Sequence, residues 1–198
     1  MNSDKDVIIN YFFEKNSDDN MYIALTLGYN ITDLKIKIIK DFWNSLEQHL
    51  RLSPMLKNIS DWQIQNDFQS DFWGKRYNGF RILKTGWADG YAIEINADLG
   101  NVNDLCVGVK KPTTAHPLDN QVLRNKLDEK MGIGGPIAED GVWEWWKALD
   151  NKWRYCDNAD TMMRLYQKIE GVEYMAEKML AILNVSEDYL DKTGITKP

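Results

Sequence analysis

"GYAIEINAD", residues 90–98, decides how this chain folds. On an extended backbone Tyr91, Ile93 and Ile95 fall on one side, and Ala92, Glu94 and Asn96 on the other. A period of two is the mark of a strand with one packed face. Three similar runs lie outward from it: "DWQIQNDF" (61–68), "GFRILK" (79–84) and "NDLCVGVK" (103–110). The breaks "WGKRYN", "TGWADG" and "LGN" are turn compositions that join antiparallel neighbours. The middle of the chain is therefore expected to be a β-meander.

The flanks read differently. "DVIINYFFEKN" (6–16) is apolar on both faces and reads equally as strand or helix, whereas "NMYIALTLGYN" (20–30) alternates like a strand. With the turn composition "NSDDN" between them, a strand at 6–16 would make the pair a hairpin. A helix should follow, capped by Thr32 and stopped by Pro54, with Ile38, Ile39, Phe42, Trp43, Leu46 and Leu50 as its stripe. His49 lies near that stripe as a packed or rim residue. Beyond "KKPTTAHP" the pattern turns helical. Leu118, Val122, Leu123, Leu127 and Met131 form one stripe, and "GIGGP" is a loop. "GVWEWWKALDNKW" (141–153) reads as an aromatic helix. Met163, Tyr166, Ile169, Met175, Met179, Leu180 and Leu183 form a last stripe, broken or kinked at Gly171. The order implies an α+β fold, an antiparallel β-meander sheet with helices packed on one side. One domain, 1–198, is expected: 1–60 a strand or hairpin plus helix, 61–111 the meander, 118–192 the helical part.

Composition narrows the function. With 198 residues the chain can bury about 70% of its unfolded surface without staples. A net charge of −6 argues against gripping naked nucleic acid by bulk attraction. Residues 62–118, however, hold six cations against six carboxylates, clustered as Lys75, Arg76, Arg81 and Lys84, then Lys110 and Lys111. A local basic face is one reading, a solvated sheet edge the other. Two cysteines, no basic-then-apolar leader and no apolar run of spanning length point to a reduced, cytoplasmic chain without a membrane segment.

No catalytic set is coherent. "GIGG" (132–135) lacks the Lys-Ser/Thr of a phosphate loop. His116, in "TTAHPLDN", reads as a loop residue before a helix. Metal-assisted phosphodiester cleavage needs two acids and a lysine close by on a strand. Asp-x-Lys occurs only on expected helices, at Asp33, Asp128 and Asp150, and Glu94 is followed by Ile95 and Asn96. The enzyme alternative would use Glu94 with Asp98 or Asp104, and Mg²⁺ or Mn²⁺. No resident cofactor or metal is otherwise expected. Of the tryptophans, core packing is the default for aromatics at helical spacing. The functional alternative gives Trp145, Trp153 and Tyr155 exposed faces for a partner, with Trp87 in its Gly-flanked turn as a further candidate.

A family resemblance attaches to residues 79–184. The succession "FRILKTGW", "YAIEINAD", "NDLCVGVKK", a helix, the box "VWEWWK", a further Trp and the helix "EYMAEKMLAIL" resembles the C-terminal half of PD-(D/E)XK nuclease-like bacterial and phage proteins. The chain departs from that pattern in two ways. No proline separates Trp143 from Trp145, and residues 1–78 show no acid-x-lysine on a strand. The resemblance thus implies a fold and a phage, mobile-element or host-defence setting, and carries over no catalytic residue.

The leading expectation is a non-catalytic intracellular binding module. Its partner would be a protein, or a nucleic acid held by Arg76, Arg81, Lys84 and Lys110. The alternatives are a divergent metal-dependent nuclease and an acidic inhibitor of a host defence enzyme. Oligomeric state is not legible.

Overall fold

A computed structural model describes residues 17–57, 60–112, 121–137, 141–156 and 158–192. The strand-or-helix run at 6–16, His116 and the final residues 193–198 lie outside these. The chain forms two compact units, Met1–Ile38 and Ile39–Pro198.

In the first unit the described residues are helical. They belong to α1, Ser17–Arg51, so the alternating run at 20–30 is a helix and not a strand, and Thr32 is an interior residue and not a cap. The physical reason is cooperativity. Extending a helix already nucleated further along adds one hydrogen bond per residue with no new nucleus, which outweighs a cost of about 1 kcal/mol for Gly28.

In the second unit α1 lays Ile39, Phe42, Trp43, Leu46 and Leu50 into the core. Trp43 stacks on Phe68 at 4.4 Å between ring centroids and lies 5.5 Å from Phe80. His49 is exposed on the rim. Pro54 ends the helix as expected and starts a 3₁₀ turn, Pro54–Leu56, which the Ser53 hydroxyl caps.

The sheet has five antiparallel strands in sequence order: β1 Trp62–Asn66, β2 Asn78–Lys84, β3 Ala92–Leu99, β4 Asn103–Lys110 and β5 Trp143–Ala148. All four expected strands are present. Phe80, Ile95 and Val107 stand opposite one another and are buried, as are Ile82, Ile93 and Val109 in the next row. Five helical segments are described. After α1 come α2 Gln121–Met131, α3 Asn151–Arg154, α4 Ala159–Gln167 and α5 Ile169–Leu190. Helix α5 packs on β3 and β4, and α2 packs on α5 and β5. The fold is α+β with helices packed on the sheet. Among the described residues no helix is long and apolar enough to cross a membrane.

Two helical expectations are corrected. The tryptophan box is the edge strand β5 and not a helix. Aromatic residues suit a pleated, half-buried surface, and β4 offers an unpaired edge for them. The break between the last helices falls at Lys168, whose φ is +65°, and not at Gly171. Gly171 lies inside the helix, where the missing side chain makes room for Trp153 and Phe42. The break also interrupts the apolar stripe: α4 buries Met162 and Leu165, leaving Met163, Tyr166 and Ile169 exposed.

Candidate binding cleft on the polar face of the sheet

The face of the sheet opposite the Phe80 row carries Arg81, Glu94, Gly108 and Trp146 in one cross-strand row. The next row runs Gly79, Asn96, Cys106 and Ala148. Sequence reading put Glu94 and Asn96 together on a polar side, and they are so placed. They are also buried: Glu94 is 0% exposed and Asn96 6%. A cleft of about 510 Å³ opens on this face. Its walls include Trp143, Trp146, Val142 and Tyr77, and its polar lining includes Asn96, Lys110, Asp98, Asp104 and Arg154.

A β-bulge makes the aromatic wall. Trp145 pairs with Val109 and Trp143 with Lys110, so Glu144 is an extra residue in β5. Without it, Trp143 and Trp146, three residues apart, would point to opposite faces. With it, both line the cleft, while Trp145 turns to the helical side and is 2% exposed. Glu144 is buried, and Arg124 of α2 donates to its backbone carbonyl at 3.1 Å.

The "GIGGP" stretch is a packed brace for this wall. Gly134 and Gly135 lie against the Trp145 and Trp146 rings so closely that a Cβ on either would collide. Trp146 Nε1 donates to the Pro136 carbonyl, and Gly135 N donates to the Trp146 carbonyl. Asp128 Oδ1 accepts from both Trp145 Nε1 at 2.8 Å and Gly134 N at 2.9 Å. Those two bonds hold its carboxyl below the usual carboxylate range.

Beneath the cleft Glu94 is fully engaged. Arg81 Nε donates to its Oε2 at 3.0 Å, Lys110 Nζ lies 2.7 Å from Oε2, and Asn96 Nδ2 donates to Oε1 at 2.7 Å. Arg81 also meets Asp67 at 2.9 Å. Burial pulls the Arg81 pKa down, but the Glu94 and Asp67 carboxylates outweigh it and hold the value above the ordinary one. Gly79 is required here, since a Cβ would strike both Glu94 and Arg81. Burial, with the charges of Glu94, Asp98 and Asp104, pushes the Cys106 thiol up to about 12. Tyr77 and Asp104, at opposite strands of the cleft, both take left-handed backbone angles, φ +61° and +57°. Such strain persists only where the surroundings impose it.

The structure relocates most of the expected binding residues. The readings of Trp87, Trp145 and Trp153 as exposed faces are corrected, for all three are buried. Trp87 donates to Asp191 Oδ1 at 2.8 Å, and Trp153 stacks on Tyr174 at 5.9 Å. Tyr155 is exposed, with the Arg154 guanidinium over its ring. The cations are already paired. Arg76 donates to the Asp98 carbonyl, Arg81 and Lys110 meet Glu94, and Lys84 meets Glu187 and Asp191. Burial lowers the Lys84 pKa, while its bonds to Asp191 and Glu187 raise it to a net upward shift.

The three acids of the nuclease alternative do share this face, since Glu94 and Asp98 lie on β3 and Asp104 on β4. Each faces a cation: Glu94 has Arg81 and Lys110, Asp98 has Arg76, and Asp104 has Arg154. Among the described residues no group of three His, Cys, Asp or Glu side chains is arranged to hold a metal ion. Sequence reading missed Asn96, Trp143, Trp146 and Arg154 as site residues. The face of Asn96 was legible, whereas the bulge at Glu144 leaves no periodic signal. Compared with known proteins, the chain matches no family model, no curated protein and no solved structure.

Proposed function

We propose that this chain is a non-catalytic binding module whose ligand seat is the cleft on the polar face of the sheet. The carrying observation is the bulge at Glu144, which brings two half-exposed indoles, Trp143 and Trp146, to the same side as Lys110 and Asn96. Bulges beside functional sites re-aim side chains in this way. A concave seat with apolar walls and a few convergent polar groups is the ordinary form of a ligand site. The expected protein interface rested on exposed rings at Trp87, Trp145, Trp153 and Tyr155. With the three indoles buried and Tyr155 alone of the four exposed, the cleft supports the binding reading better than an indole patch does. The carboxylates nearby are engaged by cations, which supports holding over hydrolysis.

The test is a ligand-observed NMR screen of a fragment library on wild type and on Ala148→Phe, which puts a bulky ring into the cleft from its wall. Hits on wild type that vanish in the variant support the reading. Cleavage of DNA or RNA by the purified protein with Mg²⁺ or Mn²⁺, lost in Glu94→Gln, would overturn it.

A further inference from the structure

Three features of the cleft narrow what it takes. The first is charge compensation. Lys110 faces Glu94, Arg154 faces Asp104 and Arg76 faces Asp98. An ionic ligand would have to compete with these pairs, and a neutral one would not.

The second is Asn96. Its side chain lines the cleft and is 6% exposed. Its Nδ2 donates to Glu94, which fixes Oδ1 as the atom left to accept. Among the described residues nothing donates to that Oδ1. Asn96 lines the cleft, so a ligand hydroxyl can donate to that oxygen. Lys110 lies on the same face, with Glu94 as its partner among the described residues and further N–H donors to offer.

The third is extent. Asp104, Cys106 and Lys110 alternate along the cleft face of β4. A rise of about 3.3 Å per residue puts roughly 20 Å between Asp104 and Lys110. The half-exposed indoles flank the Lys110 end, where Trp143 pairs with Lys110.

Resting on the cleft as the binding seat, we infer that its ligand is a neutral saccharide of one or two rings. A hydroxyl donates one hydrogen bond and accepts two, so neighbouring ring hydroxyls satisfy an acceptor such as Asn96 Oδ1 and a donor such as Lys110 Nζ together. The carbon-bound face of a ring packs on the indoles of Trp143 and Trp146. No charge has to be neutralised. A nucleotide phosphate would find only cations already matched by carboxylates.

The experiment is a saturation-transfer NMR titration with neutral mono- and disaccharides, nucleosides and capped tripeptides. The proteins are wild type, Ala148→Phe and Trp143→Leu, each checked for folding by thermal melting. The expected result is that at least one saccharide binds wild type and its affinity falls tenfold or more in the variants. Where Trp143→Leu does not fold, Ala148→Phe decides. Nucleoside or tripeptide binding lost in Ala148→Phe, with no saccharide bound, overturns the ligand class and leaves the cleft reading standing. Saccharide binding undiminished in Ala148→Phe overturns the site. No binding from any class overturns both.

Discussion

Lys110 Nζ lies 2.7 Å from Glu94 Oε2, and the carboxylate it meets is wholly buried. Removing one member of such a pair strands the other. Glu94→Gln leaves Arg81 and Lys110 facing a neutral amide, and among the described residues only Arg81 keeps another carboxylate, Asp67. The expected loss is about 3 kcal/mol, the low end for a broken buried pair, because both cations keep some solvent contact. Urea denaturation of wild type and variant measures it. A change under about 1 kcal/mol would show that the triad is not holding the sheet.

Asp128 gives a pH dependence with a fixed sign. Its folded pKa is depressed by bonds from Trp145 and Gly134. Its stabilising contribution is therefore present above the unfolded value of about 3.9 and is lost as pH falls through the lower folded value. Asp128→Asn is expected to cost about 1 kcal/mol at pH 7. The gap in melting temperature between wild type and variant should close as pH drops below about 3.9. A gap of constant size down to pH 2 contradicts the assignment.

Gly171 sits in α5 with a hypothetical Cβ 2.8 Å from the Trp153 ring and 2.9 Å from Phe42. Gly171→Ala would gain about 1 kcal/mol of helix propensity but overpack two buried aromatics at about 1–3 kcal/mol. Net destabilisation is expected. Lys168→Gly, at a φ of +65°, should go the other way by relieving strain of about 1 kcal/mol. Thermal melting of both variants separates packing from backbone effects.

Cys106 and Cys156 are both buried and neither forms a disulfide. With the Cys106 thiol pushed up to about 12, little thiolate exists at neutral pH. Neither thiol should react with an aromatic disulfide reagent in the native protein on a scale of minutes, and both should react in urea. Fast titration of Cys106 in the native protein would mean that the cleft floor opens.

The meander was legible because β1 to β4 alternate cleanly and are separated by turn residues. Glu94 and Asn96 could be put on a shared polar face from spacing alone. What stayed hidden depended on long-range pairing. Residues 20–30 alternate like a strand, and the adjoining helix overrides that local pattern. Trp143, Trp146 and Leu149 fit helical spacing, yet the edge of β4 recruits residues 143–148 as a strand. The burial of Trp87 depends on Asp191, more than a hundred positions away, which no local pattern records.

The brace over β5 has a consequence for solubility. Gly135 takes the Trp146 carbonyl that points outward from the strand, and Pro136 takes the indole N–H beside it. At Trp146 that margin of the sheet is thus held by the chain's own backbone, which makes it a poorer template for a strand from another molecule than the opposite border, Trp62–Asn66.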